Sequence, residues 1–154
     1  MAAANSKAVK RLQKELKKIK KNPLPNADAE PSGKNMLIWT AKVKGPKGSC
    51  YEGGKFKVTI TFSDDYPMKA PELKFVTKVY HPSVKSDDGT VCPEVIGKDW
   101  APTLNVSYIL ETLIGMLVNP TSDSPLEPEI AEVLAKDKKK FEKTAKQWTK
   151  KHAK

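Results

Sequence analysis

The sequence predicts an α+β domain: an N-terminal helix, an antiparallel meander sheet, one long irregular loop, then C-terminal helices. Three observations predict it. Apolar residues recur at helical spacing toward both ends of the chain. They alternate at a spacing of two between residues 36 and 78. Neither pattern holds from about 81 to 102.

The first helix rests on Val9, Leu12, Leu16 and Ile19, with lysines on the opposite face. Asn5 or Ser6 is placed to cap it, and Asn22-Pro23 to end it. The stripe is too short for a coiled coil, so it is expected to pack on the body. The segment NPLPNADAEPSGKN, residues 22–35, is rich in proline and glycine and reads as a linker. MLIWTAKVKG then alternates through Leu37, Trp39, Ala41 and Val43, and KFKVTITF through Phe56, Val58, Ile60 and Phe62. ELKFVTK adds Leu73 and Phe75. Gly- and Pro-rich turns separate these runs, which fits a meander with one face on a core.

The stretch 81–102 holds Pro82, Pro93, Pro102, Gly89 and Gly97 and keeps no period. A loop this long inside a compact domain is more often functional than not. LNVSYILETLIGMLVN follows as a helix apolar nearly all round, hence buried, and Pro120 stops it. The C-terminal helical region carries two apolar patches, Ile130, Val133 and Leu134, then Phe141, Ala145 and Trp148.

A chain of 154 residues fits one domain spanning 1–154 and is long enough to bury a core without staples. Two cysteines do not make a disulfide framework, and the N-terminus lacks the pattern of a signal peptide. The longest apolar-rich stretch, 104–118, is too short to span a bilayer and carries Glu111. These features predict a soluble intracellular protein of the cytoplasm or nucleus, with no membrane partner.

The net charge of +10 is uneven: residues 1–21 carry +7, residues 22–125 carry −1 and residues 126–154 carry +4. Arg11 is the only arginine, and no aromatic residue is interleaved with the N-terminal lysines. Both features disfavour nucleic-acid binding, which draws on arginine forks and stacking rings. A solvated face, or a surface steering an acidic protein, fits the lysines better.

Cys50, Cys92, His81 and His152 show no zinc spacing, and no glycine-rich phosphate loop is present. No metal or other cofactor is expected. A cysteine peptidase would need a histidine to reach Cys92 and a third group to orient it. His81, between Tyr80 and Pro82, reads better as a structural histidine bonded to local backbone. A free cysteine is usually a small buried residue. Cys92 lies inside the irregular loop, and that position favours chemistry.

The stretch from FSDDYPMKAPELKFVTKVYHPSV through GTVCPEVIGKDWAPTLNVSYIL to LIGMLVNPTSDSPLEPEIA resembles the catalytic domain of the ubiquitin-conjugating enzymes. The ordered marks are Tyr66-Pro67 with Pro71, Tyr80-His81-Pro82, Gly89 and Cys92, Trp100 with Pro102, Asn119-Pro120 and Pro125-Leu126. The resemblance runs from the basic helix to about Lys150. It implies the family's four-stranded antiparallel sheet.

It also implies that Cys92 accepts the C-terminal glycyl group of ubiquitin from an activating enzyme as a thioester. Cys92 would then pass that group to a substrate lysine or a ligase cysteine. ATP would be used by the activating enzyme, not by this chain. Tyr80, His81, Ser83, Glu94 and Ser124 fall at the family's other active-site positions. Ser83 replaces the asparagine credited with oxyanion or loop support. Pro93 replaces a common leucine and removes a main-chain N–H beside the nucleophile. Glu94 replaces a common aspartate. Ser124 stands where an acid or serine helps position or deprotonate the lysine.

Lys10, Arg11, Lys14, Met68 and Pro102 match the surface that meets the activating enzyme and ligases. Many relatives have phenylalanine where this chain has Met68. A conjugating enzyme for another ubiquitin-like modifier and a non-catalytic ubiquitin-binding module remain as alternative readings.

Overall fold

The computed structural model describes residues 6–122 and 125–154. Helix α1 spans Lys7–Lys21, strands β1 to β4 span Ala27–Pro31, Ile38–Lys44, Lys55–Thr61 and Glu72–Phe75, and helices α2 to α5 span Glu94–Gly97, Val106–Val118, Pro128–Lys136 and Lys138–His152. The four strands form an antiparallel meander in the order β1-β2-β3-β4.

Helix α1 starts where the Ser6 hydroxyl accepts the Val9 N–H at 3.2 Å, and it stops at Asn22, before Pro23. Lys18, Lys20 and Lys21 in its last turn complement the helix dipole. Val9, Leu12 and Ile19 are buried and Leu16 is half-buried. Glu15 is buried on the same face, which the apolar periodicity did not reveal.

Strands β2, β3 and β4 bury the expected alternate residues, Trp39, Ala41 and Val43, then Phe56, Val58 and Ile60, then Leu73 and Phe75. The stretch read as a linker contains β1, which corrects the sequence reading. Its inward residues are Ala27 and Ala29, opposite Val43 and Ala41. Two alanines between prolines carry almost no strand signal, yet they let the edge strand lie close over the core.

Helix α3 is the central buried helix, with Val106, Ile109, Leu110, Leu113 and Leu117 inside. The Asn105 side chain caps it by accepting the Tyr108 N–H at 2.9 Å. The C-terminal helical region divides at Asp137, whose carboxylate accepts the Lys140 N–H at 3.1 Å and starts α5. The Ala153 carbonyl accepts the Lys55 N–H at 2.8 Å, fastening the end of α5 to β3.

The irregular loop is held to the sheet at Gly89. Its φ is +81°, and a Cβ there would lie 1.9 Å from the Phe75 carbonyl oxygen. Only glycine fits this approach. Phe75 N–H donates to the Gly89 carbonyl at 2.8 Å, and Val91 N–H to the Leu73 carbonyl at 3.1 Å. The chain therefore leaves β4's side in a fixed direction one residue before Cys92.

Candidate active site

Cys92 follows a short bridge between Val84 and Val91. Its N–H donates to the Ser83 carbonyl at 2.8 Å, and its carbonyl accepts the Val95 N–H at 3.0 Å. Pro93 and Glu94 then open the single turn of α2, which the loop reading did not anticipate. Cys92 lines a cleft of about 550 Å³ with Pro71, Leu73, Val91, Pro93 and Ile96 among its walls.

The other cysteine, Cys50, lies in the β2–β3 connection and lines a smaller cavity of about 140 Å³ near α5. Exposure does not separate the two, at 7% for Cys50 and 8% for Cys92. Surroundings do. Burial, and then the nearby Glu142 carboxylate, push the Cys50 thiol above its ordinary range. A raised thiol holds less of the nucleophilic thiolate.

His81 is 2% exposed and its two ring nitrogens are both engaged. Nδ1 accepts the Ser83 N–H at 3.0 Å, so the ring proton sits on Nε2 and is donated to the Met116 carbonyl at 2.8 Å. Burial pushes its pKa down to about 4, despite the opposing effect of the Met116 carbonyl. A neutral ring with no spare lone pair is not a base for Cys92. It is a brace between α3 and the turn that carries Ser83.

Ser83 is buried at 5% exposure, with its main chain bonded to His81 on one side and Cys92 on the other. The Pro82 carbonyl accepts two N–H groups, from Leu126 at 2.8 Å and Glu127 at 3.0 Å. The Glu127 carboxylate accepts the Ser86 N–H at 2.7 Å. The segment beginning at Pro125 is thereby tied to the His81-Pro82-Ser83 turn. Ser124, which the resemblance assigns to positioning or deprotonating the lysine, lies outside the described residues.

Tyr80 packs its ring against Phe141 and Trp148, with centroids 5.4 and 5.3 Å away. Its carbonyl accepts the Tyr51 hydroxyl at 2.5 Å, and the Tyr51 ring stacks on His81 at 6.2 Å. Tyr51 is fully buried and was missed in the sequence, where nothing local marks it as a support for residues 80 and 81. The structure thus brings Tyr80, His81, Ser83 and Cys92 together. Glu94 sits two residues beyond Cys92 with its side chain exposed.

Lys10 and Lys14 are exposed on α1, Met68 is 72% exposed, and Pro102 is exposed. Trp100 joins the two loops, since its indole N–H donates to the Pro67 carbonyl at 2.8 Å. Arg11 differs from its lysine neighbours. Its guanidinium pairs with Glu15 at 2.9 Å, donates to the Leu104 carbonyl at 2.8 Å and lies over the Tyr66 ring. Glu15 also accepts the Tyr66 hydroxyl at 2.7 Å and the Val106 N–H at 2.6 Å. One buried carboxylate therefore fastens α1, the Met68 loop and the start of α3 to one another.

No cluster that could hold a metal ion occurs among the described residues. None of their helices is long and apolar enough to cross a membrane.

The structure is a meander sheet with a cysteine braced on an irregular loop between β4 and α3. The family model for ubiquitin-conjugating enzymes matches residues 11–149. The chain is 46% identical over 147 residues to ubiquitin conjugating enzyme E2 B of Dictyostelium discoideum, covering 96% of this chain and 99% of that one. Among solved structures, a Plasmodium yoelii chain described as a ubiquitin conjugating enzyme superposes with a TM-score of 0.89 at 39% identity, over 97% of each chain. The E2 domain of a Toxoplasma gondii ubiquitin conjugating enzyme gives 0.85 at 34% identity, over 94% of this chain and 98% of that one. The chain belongs to the ubiquitin-conjugating enzyme family, whose members transfer ubiquitin through a cysteine thioester.

Proposed function

We propose that Cys92 is the cysteine that carries ubiquitin. The Cys92 thiolate attacks the carbonyl carbon of the thioester on the activating enzyme, and the activating enzyme's thiolate leaves. A lysine amine, or a ligase thiolate, then attacks the new carbonyl and expels the Cys92 thiolate. An attacking amine also loses a proton, which balances the expelled thiolate as the thiol. The donor is already activated, so placement matters more than a strong local base.

The observation that supports this reading best is the brace on Cys92. Its main chain is bonded to Ser83, whose own N–H is held by His81, which is anchored on α3. That chain of bonds fixes the sulfur at the cleft, whereas Cys50 has a smaller cavity and a raised thiol. In this reading His81 and Tyr80 position the loop. Ser83 and Glu94 act at the rim where the acceptor arrives, and Ser124 is assigned by resemblance alone to positioning or deprotonating the lysine.

Lys10, Lys14, Met68 and Pro102 form the surface that meets the activating enzyme and ligases. Ubiquitin is the modifier and substrate proteins are the acceptors. In this reading residues 1–154 act as one catalytic domain, of which the family model matches 11–149. Work in the cytoplasm or nucleus follows from the free cysteines.

The test is charging with activating enzyme, ATP and ubiquitin, followed on a non-reducing gel. Cys92→Ala is expected to abolish the thiol-sensitive adduct, and Cys50→Ala to leave it. Loss of the adduct in a folded Cys50→Ala protein alone would overturn the assignment.

A further inference from the structure

The carbonyls of residues 80 to 83 all accept hydrogen bonds. Those of His81, Pro82 and Ser83 accept main-chain N–H groups, from Val84 at 3.2 Å, from Leu126 and Glu127, and from Cys92 at 2.8 Å. Tyr80 differs. Its carbonyl accepts a side-chain donor, the Tyr51 hydroxyl, at 2.5 Å from 29 residues earlier in the chain. The turn that leads to Cys92 is therefore fastened at its first peptide by a side chain from the β2–β3 connection.

Tyr51 is itself held on all sides. It is fully buried. Its N–H donates to the Ser49 hydroxyl at 3.2 Å, and its carbonyl accepts the Gly54 N–H at 3.0 Å. Gly45 passes so near that a Cβ there would stand 1.7 Å from the Tyr51 carbonyl oxygen. Phe56 meets the ring edge-on at 6.0 Å, and the His81 ring stacks on it at 6.2 Å with 28° between the planes. Burial pushes the phenol well above its ordinary range, so the hydroxyl stays a donor.

The hydroxyl and the ring act on one peptide unit. The hydroxyl sets the Tyr80 carbonyl, and the ring stacks on the imidazole of the next residue. His81 then holds the Ser83 N–H, and the Ser83 carbonyl holds the Cys92 N–H. Phenylalanine would supply the same packing, so the hydroxyl acts through the carbonyl it meets. A carbonyl that loses its donor turns toward water. The turn that braces Cys92 would follow it.

We infer that Tyr51 is a positioning residue for acyl transfer at Cys92: its hydroxyl fixes the Tyr80–His81 peptide, and through His81 and Ser83 it fixes the sulfur against the attacking amine. The inference rests on Cys92 as the carrier of ubiquitin.

The test is Tyr51→Phe, which removes the hydroxyl and keeps the ring. Pre-charged protein is mixed with free lysine, and single-turnover discharge is followed on a non-reducing gel. Discharge is expected to slow by about tenfold, since a misplacement of ~1 Å can cost ~10² in rate. The KM for activating enzyme in charging is expected to stay unchanged, because the exposed residues of α1 and the Met68 loop are untouched. The Cys92 amide resonance is expected to shift. Ile19→Val, which trims a buried side chain on α1, is the control: it is expected to melt lower and to discharge like wild type. Replacing Tyr51 by 4-aminophenylalanine restores a donor at the same place and is expected to recover most of the rate.

Equal discharge by wild type and Tyr51→Phe would confine Tyr51 to the core and overturn the inference. Equal slowing in Tyr51→Phe and Ile19→Val would overturn it too, by tracing the effect to lost stability. Slow discharge with no recovery in the 4-aminophenylalanine protein would take the effect away from the hydrogen bond. An adduct that persists in Cys92→Ala would overturn the carrier reading and this inference together, whereas a Cys92-dependent adduct with unchanged discharge overturns this inference alone.

Discussion

The N–H of Cys92 and the carbonyl of Ser83 are joined by a 2.8 Å hydrogen bond, nine residues apart in the chain. Any rearrangement at Ser83 therefore moves the main chain that carries the sulfur. This couples Ser83 to the main chain of Cys92 by a single bond.

Ser83→Asn is expected to speed discharge of the charged enzyme to free lysine by roughly tenfold. An amide can reach a developing oxyanion that the shorter serine serves less well, and removal of one such donor outright costs about 10²–10³ in rate. Ser83→Ala is expected to be slower than wild type. Single-turnover discharge of pre-charged proteins measures both, with melting temperatures recorded alongside. Equal rates in all three proteins would give Ser83 no part in the chemistry. Equal rates with a less stable Ser83→Ala protein would make it a turn-capping residue.

His81 predicts a pH dependence of stability. Its pKa is pushed down by burial from 6.5 to about 4 in the folded protein. As pH falls, the unfolded chain takes up this proton first. The stabilisation is fully present above pH 6.5 and is lost as pH falls toward 4. From pH 7 to pH 5 the residue is expected to remove about 2 kcal/mol, and about 3 kcal/mol once both forms are protonated. Urea unfolding of wild type and His81→Gln across this range isolates the contribution. His81→Gln should be less stable at pH 7 and lose less on acidification. Parallel curves for the two proteins would show that His81 is not held neutral.

Three basic residues of α1 separate into two roles. Lys10→Glu with Lys14→Glu is expected to slow charging through the association rate, with the difference shrinking as salt is added and melting unchanged. Arg11→Glu is expected to lower the melting temperature, because it sets two carboxylates together and strands the Leu104 carbonyl. Charging rates measured over a salt series, beside thermal melts, distinguish them. An Arg11→Glu protein that melts like wild type would contradict its place in the Glu15 network.

The fold was legible where side chains carry a period. Helix α1 and strands β2 to β4 announce themselves through Leu, Val, Ile, Phe and Trp at spacings of 3.6 or two. Strand β1 does not, because the buried positions Ala27 and Ala29 are small and their neighbours are turn formers. Helix α2 is one turn, too short for any period to develop. Glu15 could not be read as buried, since its partners Tyr66 and Val106 lie 51 and 91 residues away. The site was legible chiefly through resemblance. Physical reading suggested a backbone-bonded His81, and the Ser83 N–H is indeed one of its partners. The other partner, the Met116 carbonyl, is 35 residues away and left no local trace.

The most direct test of the account is the chemistry of the adduct itself. Replacing Cys92 by serine puts an oxygen where the sulfur was, and an oxyester resists thiols that cleave a thioester. With activating enzyme, ATP and ubiquitin, wild type is predicted to form an adduct that reductant removes. Cys92→Ser is predicted to form one that survives reductant, and peptide mass analysis should map it to residue 92. A thiol-sensitive adduct of undiminished yield in the Cys92→Ser protein would contradict the claim that ubiquitin rides on Cys92.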